Sequence, residues 1–438
     1  MSPPDRDGLV TYLTGRFTER FDARIPAWRY VGREAELILV DQRGRAADAQ
    51  AVLRMLLDEG GCTPQYVATH AGPRGLLVGV EAESWVGSVE VGRATIEIAV
   101  GPRRTLFELE SDMGPALGRV ARAANRLGMR VLGHGIQPRT PPGAAMMSPK
   151  PRYFALLKAL GAPWLRWTVT ASDQVQVDVG VPELASVTNV MNALSGALIA
   201  LTANSAIYGG RRGGYVSGRE GLMAATSTEP QRVGMPPRPF SAVEDYIELV
   251  LGLRCLMLPD DTGGFRIVDG AFTEAHLGDM DGDALFEAFL FHEHYVWPSA
   301  RPRARIGTLE IRPVCQQPWD AHWLAPALSL GLVERAGDVA GYLDEALGKT
   351  WWDALRAYRR TAVVAGMSAP EPAPGFLHTV AEIARRGLEQ RGCGEEALLD
   401  AAFERIERRA GPADAALSCL QAHGMDAVVD MLEVSIPD

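Results

Sequence analysis

Five glutamates sit within or beside apolar runs of this sequence, where carboxylates are costly. Glu34 and Glu36 open the run "GREAELILVD" and are two residues apart. On a β-strand, residues i and i+2 share a face, so these two carboxylates stand side by side and repel. Burying an unpaired carboxylate costs several kcal/mol. Glu90 and Glu97 fall in "SVEVGRATIEIAV". Seven apart, they would face opposite sides of one straight strand, but a tight break at Gly92 would put them on neighbouring strands facing one way. Glu310 lies in "GTLEIRP". A sheet face carrying these acids needs cations, and hard divalent ions such as Mg²⁺ or Mn²⁺ prefer carboxylate oxygen. "TASDQVQVDV" puts Asp173, Val175 and Val177 on one strand face and Gln174, Gln176 and Asp178 on the other. The amides could add neutral ligands to such a site.

Arginines lie among the acids: Arg219 in "YVSGRE", Arg232, the cluster Arg301, Arg303 and Arg305, and Arg312, two residues from Glu310. They read either as surface pairing or as a clamp for phosphate or carboxylate. Metal and arginine around a polyphosphate is the arrangement that phosphoryl transfer needs. No GxxxxGK[ST] loop is present, and "GGRRGG" (209–214) lacks the strand-then-helix context of a phosphate loop. His292 and His294 have HxH spacing without a third ligand nearby and read as structural. Cys315 has no base near it in sequence, and no Ser/His/Asp or Cys/His arrangement stands out.

The elements that must position these residues can be read from periodicity. Strands are expected at "QYVATH", "GLLVGVE", "SVEV", "ATIEIAV", "MRVLGHGI", Trp167–Val179 and "IGTLEIRPV". Helices are expected over 51–57, 106–127, 184–202, 241–256 and 283–291, with helical pattern from Asp320 to the end. This is an α+β chain: an N-terminal helical or flexible lead (1–27), a strand-rich catalytic core (28–320) and a helical C-terminal segment (321–438) packed on it. The net charge of −10 gives no basic footprint for nucleic acid. Lysine occurs only at 150, 158 and 349, so bound anions would mostly meet guanidinium forks. Five cysteines without a CxxC pair argue against a disulfide framework or a cysteine zinc site. The start "MSPPDRDGLV" has no secretory h-region. The uncharged run 184–210 holds Thr188, Asn189, Asn192, Ser195, Thr202 and Asn204, which suits a buried helix better than a membrane span. A cytoplasmic setting is expected.

These blocks, in this order, resemble the carboxylate–amine ligase superfamily that includes plant-type glutamate–cysteine ligases and is related in fold to glutamine synthetase. "GREAELILVD" is similar to the family's GxExE strand, and "VEVGRATIEIAV" to its EPGGQxELS hairpin. "KPRYFALLKAL" resembles the KGRY turn, and "TASDQVQVDV" resembles TCTVQVNLD. "LTANSAIYGGRRGGYVSGRE" resembles FANSPFxxGxxxGxxSxR, and "GTLEIRP" the ExR segment. The resemblance implies a curved, mostly antiparallel sheet flanked by helices. Glu34, Glu36, Glu90, Glu97, Gln174 and Glu310 would ligate two or three Mg²⁺ ions, with Mn²⁺ as an alternative. Arg219 and Arg312, with Glu310, would act on the substrate carboxylate or transferred phosphoryl group. Asn204, Tyr153, Arg232, Arg301 and Arg305 would lie around ATP. The implied reaction activates a carboxylate, the γ-carboxylate of glutamate in most such enzymes, as an acyl phosphate and joins it to an amine. Small amino acid and amine substrates are the implied partners, in a monomer or homodimer. Three departures touch the presumed substrate wall: "GLMAATSTE" replaces a Trp-x-Asp-x-Asp segment, Ala206 replaces a proline, and Cys315 follows ExR. A ligase using an amine other than cysteine, a phosphotransferase resembling guanidino kinases, and a ligase fold that has lost turnover are the alternatives.

Overall fold

The computed structural model describes residues 6–68, 75–260, 263–268, 270–274 and 281–435. Residues 1–5 of the expected lead, and Thr69 and His70 of the "QYVATH" strand, lie outside the described residues. Among the described residues, nine strands form one sheet: β1 (Val31–Asp41), β2 (Thr63–Val67), β3 (Leu76–Glu81), β4 (Trp85–Val89), β5 (Thr95–Arg103), β6 (Met129–Leu132), β7 (Asp173–Asp178), β8 (Ala300–Arg303) and β9 (Thr308–Ile311). The order is β8-β9-β7-β1-β5-β4-β3-β2, with β6 pairing the far end of β1, and every pair is antiparallel.

Strand alternation divides the sheet into two chemically different faces. Val31, Ala35, Leu37 and Leu39 of β1 join Ile96, Ile98 and Val100 of β5 and Val175 and Val177 of β7 in the main core. Helices α3 (Leu106–Arg126) and α10 (Leu324–Glu334) cover this face. Glu34, Glu36, Glu97, Gln174, Gln176 and Glu310 alternate with those residues and take the opposite face. On the core side Arg33 binds Asp173 through two hydrogen bonds (2.8 and 2.7 Å), donates to the His322 carbonyl (2.9 Å) and lies 4.7 Å from the Trp323 ring. This buried pair fastens β1 to β7 directly behind the glutamates.

The main core runs from Leu13 and Phe17 of α1 (Arg6–Thr18), through the sheet, to Leu388 of α13 (Phe376–Arg391). Two expected elements are built differently. The Trp167–Val179 strand is a 3-10 helix over Ala162–Val169 followed by β7. Its alternating WTVT pattern is overridden because Trp164 and Trp167, three apart, eclipse on a 3-10 turn and bury together. The 184–202 helix is two helices, α5 (Leu184–Ala193) and α6 (Ser195–Thr202), bent by 44°. Asn192 explains the break: its side chain bonds the Thr188 carbonyl and both backbone groups of Ala300. No single helix among the described residues is long and apolar enough to cross a membrane, and α5 and α6 lie mostly within the core.

Candidate active site

The polar sheet face opens into a cavity of about 300 Å³. Register places its floor. Glu36 is directly opposite Glu97, which is opposite Ser88 on β4. Glu34 is opposite Gln174, and Glu310 lies between Gln176 and Arg301. Glu90 follows β4 and turns back on itself: Thr95 N–H donates to Gly92 O and Glu90 N–H to Thr95 O, both 3.0 Å. A Cβ on Gly92 would sit 2.3 Å from the Thr168 carbonyl oxygen, so only glycine fits this turn. The turn aims Glu90 at its neighbours, and one oxygen from each of Glu36, Glu90 and Glu97 lies within 4.8 Å of the others.

The carboxylates fall into two electrostatic groups. Glu36 accepts from Ser172 N–H (2.6 Å) and the Gln174 amide (3.3 Å), Glu34 from the Gln176 amide (3.2 Å), and Glu97 from the Ser88 hydroxyl (3.5 Å). These donors are neutral. Burial, reinforced by Glu310, pushes Glu34 up to about 7, and burial with Glu90 pushes Glu36 up to about 7. Burial and the other three glutamates hold Glu97 well above the ordinary range. By solvent-accessible area Glu34, Glu36 and Glu97 are only half-buried, but that area is the cavity wall, so enclosure governs their charge. Clustered carboxylates held by neutral donors fit a hard divalent cation.

Glu310 is the opposite case. Burial alone would raise it, but Arg301, Arg312 and Arg303 hold it well below the usual carboxylate range. Its Oε2 accepts from Arg301 Nε (2.5 Å) and Arg312 Nη1 (2.7 Å), while Oε1 accepts from the Gln176 amide at 3.3 Å. Arg303 Nε is 3.7 Å from Oε1. Arg219 lines the cavity beside this group, and its Nη1 donates to the Arg312 carbonyl at 3.2 Å. The cavity thus has a carboxylate floor and, one strand further along, a guanidinium wall.

An apolar end completes the cavity. Tyr153, Trp164, Trp167, Met223 and Trp297 line it, with Trp167 and Trp297 rings 4.7 Å apart. Met223 belongs to the segment that departs from the family pattern, and nearby Thr226 accepts from Trp167 Nε1 at 3.0 Å.

Three residues expected around ATP lie elsewhere. Asn204 is buried and ties Gly133, Gln316 and His134 together. Arg232 is fully buried and bonds Glu229 and the carbonyls of Tyr295 and Arg254. Arg305 pairs with Glu287 at 3.1 Å on the surface. Asn204 and Arg232 spend their polar groups holding the chain together and Arg305 makes an exposed ion pair, roles that residue type alone does not distinguish from ligand binding. Tyr153 and Arg301 do line the cavity. Arg152 was not singled out from sequence, His294 was read as structural, and Gln176 and Arg303 were raised as candidates without an assigned role; Arg152, His294 and Arg303 line the cavity and Gln176 bridges Glu34 and Glu310. The same-face argument used for Glu34 and Glu36 identifies Gln176 beside Gln174. His292 and His294 diverge, the first buried against Val250 O and Phe272, the second facing Arg303. Cys315 is buried against Ser205 Oγ (3.2 Å).

The raised carboxylates make a pH prediction. Glu34 and Glu36 keep their protons to about pH 7 in the folded chain but lose them near 4.5 when unfolded. Folding therefore costs more as pH rises from 4.5 to 7, and the full cost stands above 7. Without metal, thermal stability should fall across that interval, and saturating magnesium chloride should raise the melting temperature more at pH 8 than at pH 5. Differential scanning fluorimetry reads both effects, and Glu34→Gln with Glu36→Gln should flatten the slope. An equal magnesium gain at both pH values would refute this origin.

The chain belongs to glutamate-cysteine ligase family 2 (GCS2), whose model matches residues 30–428. Among its relatives, the chloroplastic glutamate–cysteine ligase of Medicago truncatula is 26% identical over 360 residues, covering 77% of this chain and 68% of that protein. The chain spans about two thirds of the length of such plant relatives. A putative glutamate–cysteine ligase 2 of Thermobifida fusca is 30% identical over 228 residues, 50% of this chain and 51% of that one. In fold, the chain matches the crystal structure of a Francisella tularensis glutamate–cysteine ligase in complex with AMP, with a TM-score of 0.58, 11% identity, and coverage of 94% of this chain and 88% of that one.

Proposed function

We propose that the chain is an ATP- and magnesium-dependent ligase that activates a carboxylate as an acyl phosphate and joins it to an amine. The acid is the γ-carboxylate of glutamate or a similar amino acid. The carrying observation is the pairing, on one sheet face, of a carboxylate floor held by neutral donors with a guanidinium wall around Glu310. Glu34, Glu36, Glu90, Glu97 and Gln174 would hold two or three magnesium or manganese ions. Glu310 would join them through Oε1, the oxygen not hydrogen-bonded by guanidinium. When bound, magnesium neutralises the polyphosphate and the attacking carboxylate, which otherwise repel.

Arg219, Arg303 and Arg312 then orient the anions against the floor. A carboxylate oxygen bonds the γ-phosphorus as the β–γ bridging P–O bond breaks and ADP leaves. The amine nitrogen next bonds the acyl carbon, loses a proton, and phosphate departs. The apolar end, with Tyr153 and the tryptophans, offers a surface to the adenine ring or the amine's side chain. Its altered Met223 and Thr226 stretch supports an amine other than cysteine as the alternative reading. The acid and amine are the partners proposed, with the chain a monomer or homodimer. Five free cysteines are in keeping with a cytoplasmic setting. In a panel of amino acids and amines with Mg²⁺-ATP, phosphate release should require an acid and an amine together, with an amide as product. A phosphorylated acceptor formed without a second substrate would point instead to phosphotransfer. ATP binding without turnover across the panel would mark a ligand-binding fold.

A further inference from the structure

Arg219 is presented by a short helix, α7 (Gly218–Ala224), whose next residue is Glu220. Glu220 is buried and divides its carboxylate: Oε1 accepts from Arg219 Nη1, and Oε2 accepts at 2.6 Å from Nη2 of Arg359. Arg359 belongs to α12 (Trp351–Ala365), in the C-terminal helical segment, and is itself buried. The fold makes room for it. A Cβ on Gly196 of α6 would lie 3.0 Å from Arg359 Cα, so glycine lets α12 close on α6, and a Cβ on Gly234 would lie 2.9 Å from the guanidinium carbon. The end of α12 also holds the loop entering α7, with Ser217 N–H donating to Val363 O (3.0 Å) and Val216 N–H to Val364 O (3.2 Å).

The charges of this triad do not cancel. Two guanidiniums share one carboxylate, and Arg219 Nε is buried without a hydrogen-bond partner. Paired with Glu220 alone, Arg219 would be a neutral pair with little attraction for an anion. Arg359 draws off half of Glu220, leaving positive charge on the member that lines the cavity. We infer that Arg359 is a positioning residue: through Glu220 it fixes Arg219 and keeps its charge available to the substrate's carboxylate or phosphoryl group. This gives the C-terminal segment a part in the site, and it rests on the ligase reading for the identity of the anion.

The test is charge rescue. Inorganic phosphate is titrated into the full chain loaded with Mg²⁺-ADP, with tryptophan fluorescence as readout, since Trp164, Trp167 and Trp297 line the cavity. Arg359→Ala should weaken phosphate binding about tenfold, the scale of one charge-assisted contact. Glu220→Gln added to Arg359→Ala should recover most of the loss, because the carboxylate that neutralises Arg219 is gone. Arg359→Lys, which keeps the charge, should stay within about threefold of the parent and guards against a folding defect in the alanine variant. A purely structural Arg359 would predict further loss, not recovery, in the double variant. Unchanged phosphate affinity in Arg359→Ala, no recovery in the double variant, or no phosphate binding by the parent would each overturn the inference. Amide formation is not needed for this readout, so failure of the ligase reading would show separately, as absent amide product.

Discussion

Glu36→Gln is expected to lower kcat/KM by on the order of 10³-fold, several kcal/mol of lost charge stabilisation, while making the metal-free chain more stable. The two effects have one cause. Glu36 faces Glu97 across the β1–β5 pair and lies within reach of Glu90, with neutral donors only. Burial and Glu90 push its carboxyl up to about 7, so at neutral pH the folded state bears part of the cost of charging it. The amide keeps a carbonyl oxygen for Ser172 N–H and, although its NH₂ gives up the long Gln174 bond, it carries no charge to desolvate or to repel Glu90, removing that cost. A gain of ~1–2 kcal/mol in the absence of metal is expected, measured by urea unfolding at pH 8, together with loss of magnesium-dependent stabilisation. Lower stability in the variant would place the repulsion elsewhere.

Glu310→Gln should do the reverse to stability while also abolishing turnover. Arg301, Arg303 and Arg312 converge on this one carboxylate, and Arg301 and Arg312 are buried. Removing its charge leaves buried guanidiniums without an acid, a loss of about 3 kcal/mol. Two Glu→Gln changes on one sheet face are therefore expected to shift unfolding in opposite directions. Their neighbours, not their residue type, decide the sign. Unfolding of both variants side by side, without metal, checks this, and a shift in the same direction would remove the distinction between floor and wall.

The floor was legible because it depends on strand periodicity: Glu34 and Glu36 share a face by counting alone, and Glu90 and Glu97 do so once a break is placed at Gly92. The same counting reaches Gln176. The wall was only partly legible. An arginine that lines a cavity and one committed elsewhere look alike in sequence, so Arg232 and Arg305 were read as nucleotide contacts, Arg303 stayed an unassigned member of the arginine cluster, and Arg152 was passed over. The aromatic end was invisible for another reason: Trp164 and Trp167 pair on a 3-10 turn where an alternating strand pattern was read, and Trp297 reaches them only through tertiary packing. The bend between α5 and α6 comes from Asn192 meeting β8, and the α12 contact to Glu220 spans 139 residues. Neither leaves a local signature.

If a carboxylate is activated on this floor as an acyl phosphate, one of its oxygens must leave with the phosphate. Isotope transfer tests it most directly. The acid accepted in the panel is supplied with ¹⁸O in its reacting carboxylate, alongside ATP, magnesium and the amine, and the products are weighed. Phosphate should carry one ¹⁸O atom, and the amide should have the mass of acid plus amine less labelled water. Unlabelled phosphate, or a phosphorylated acceptor in place of the amide, would contradict it.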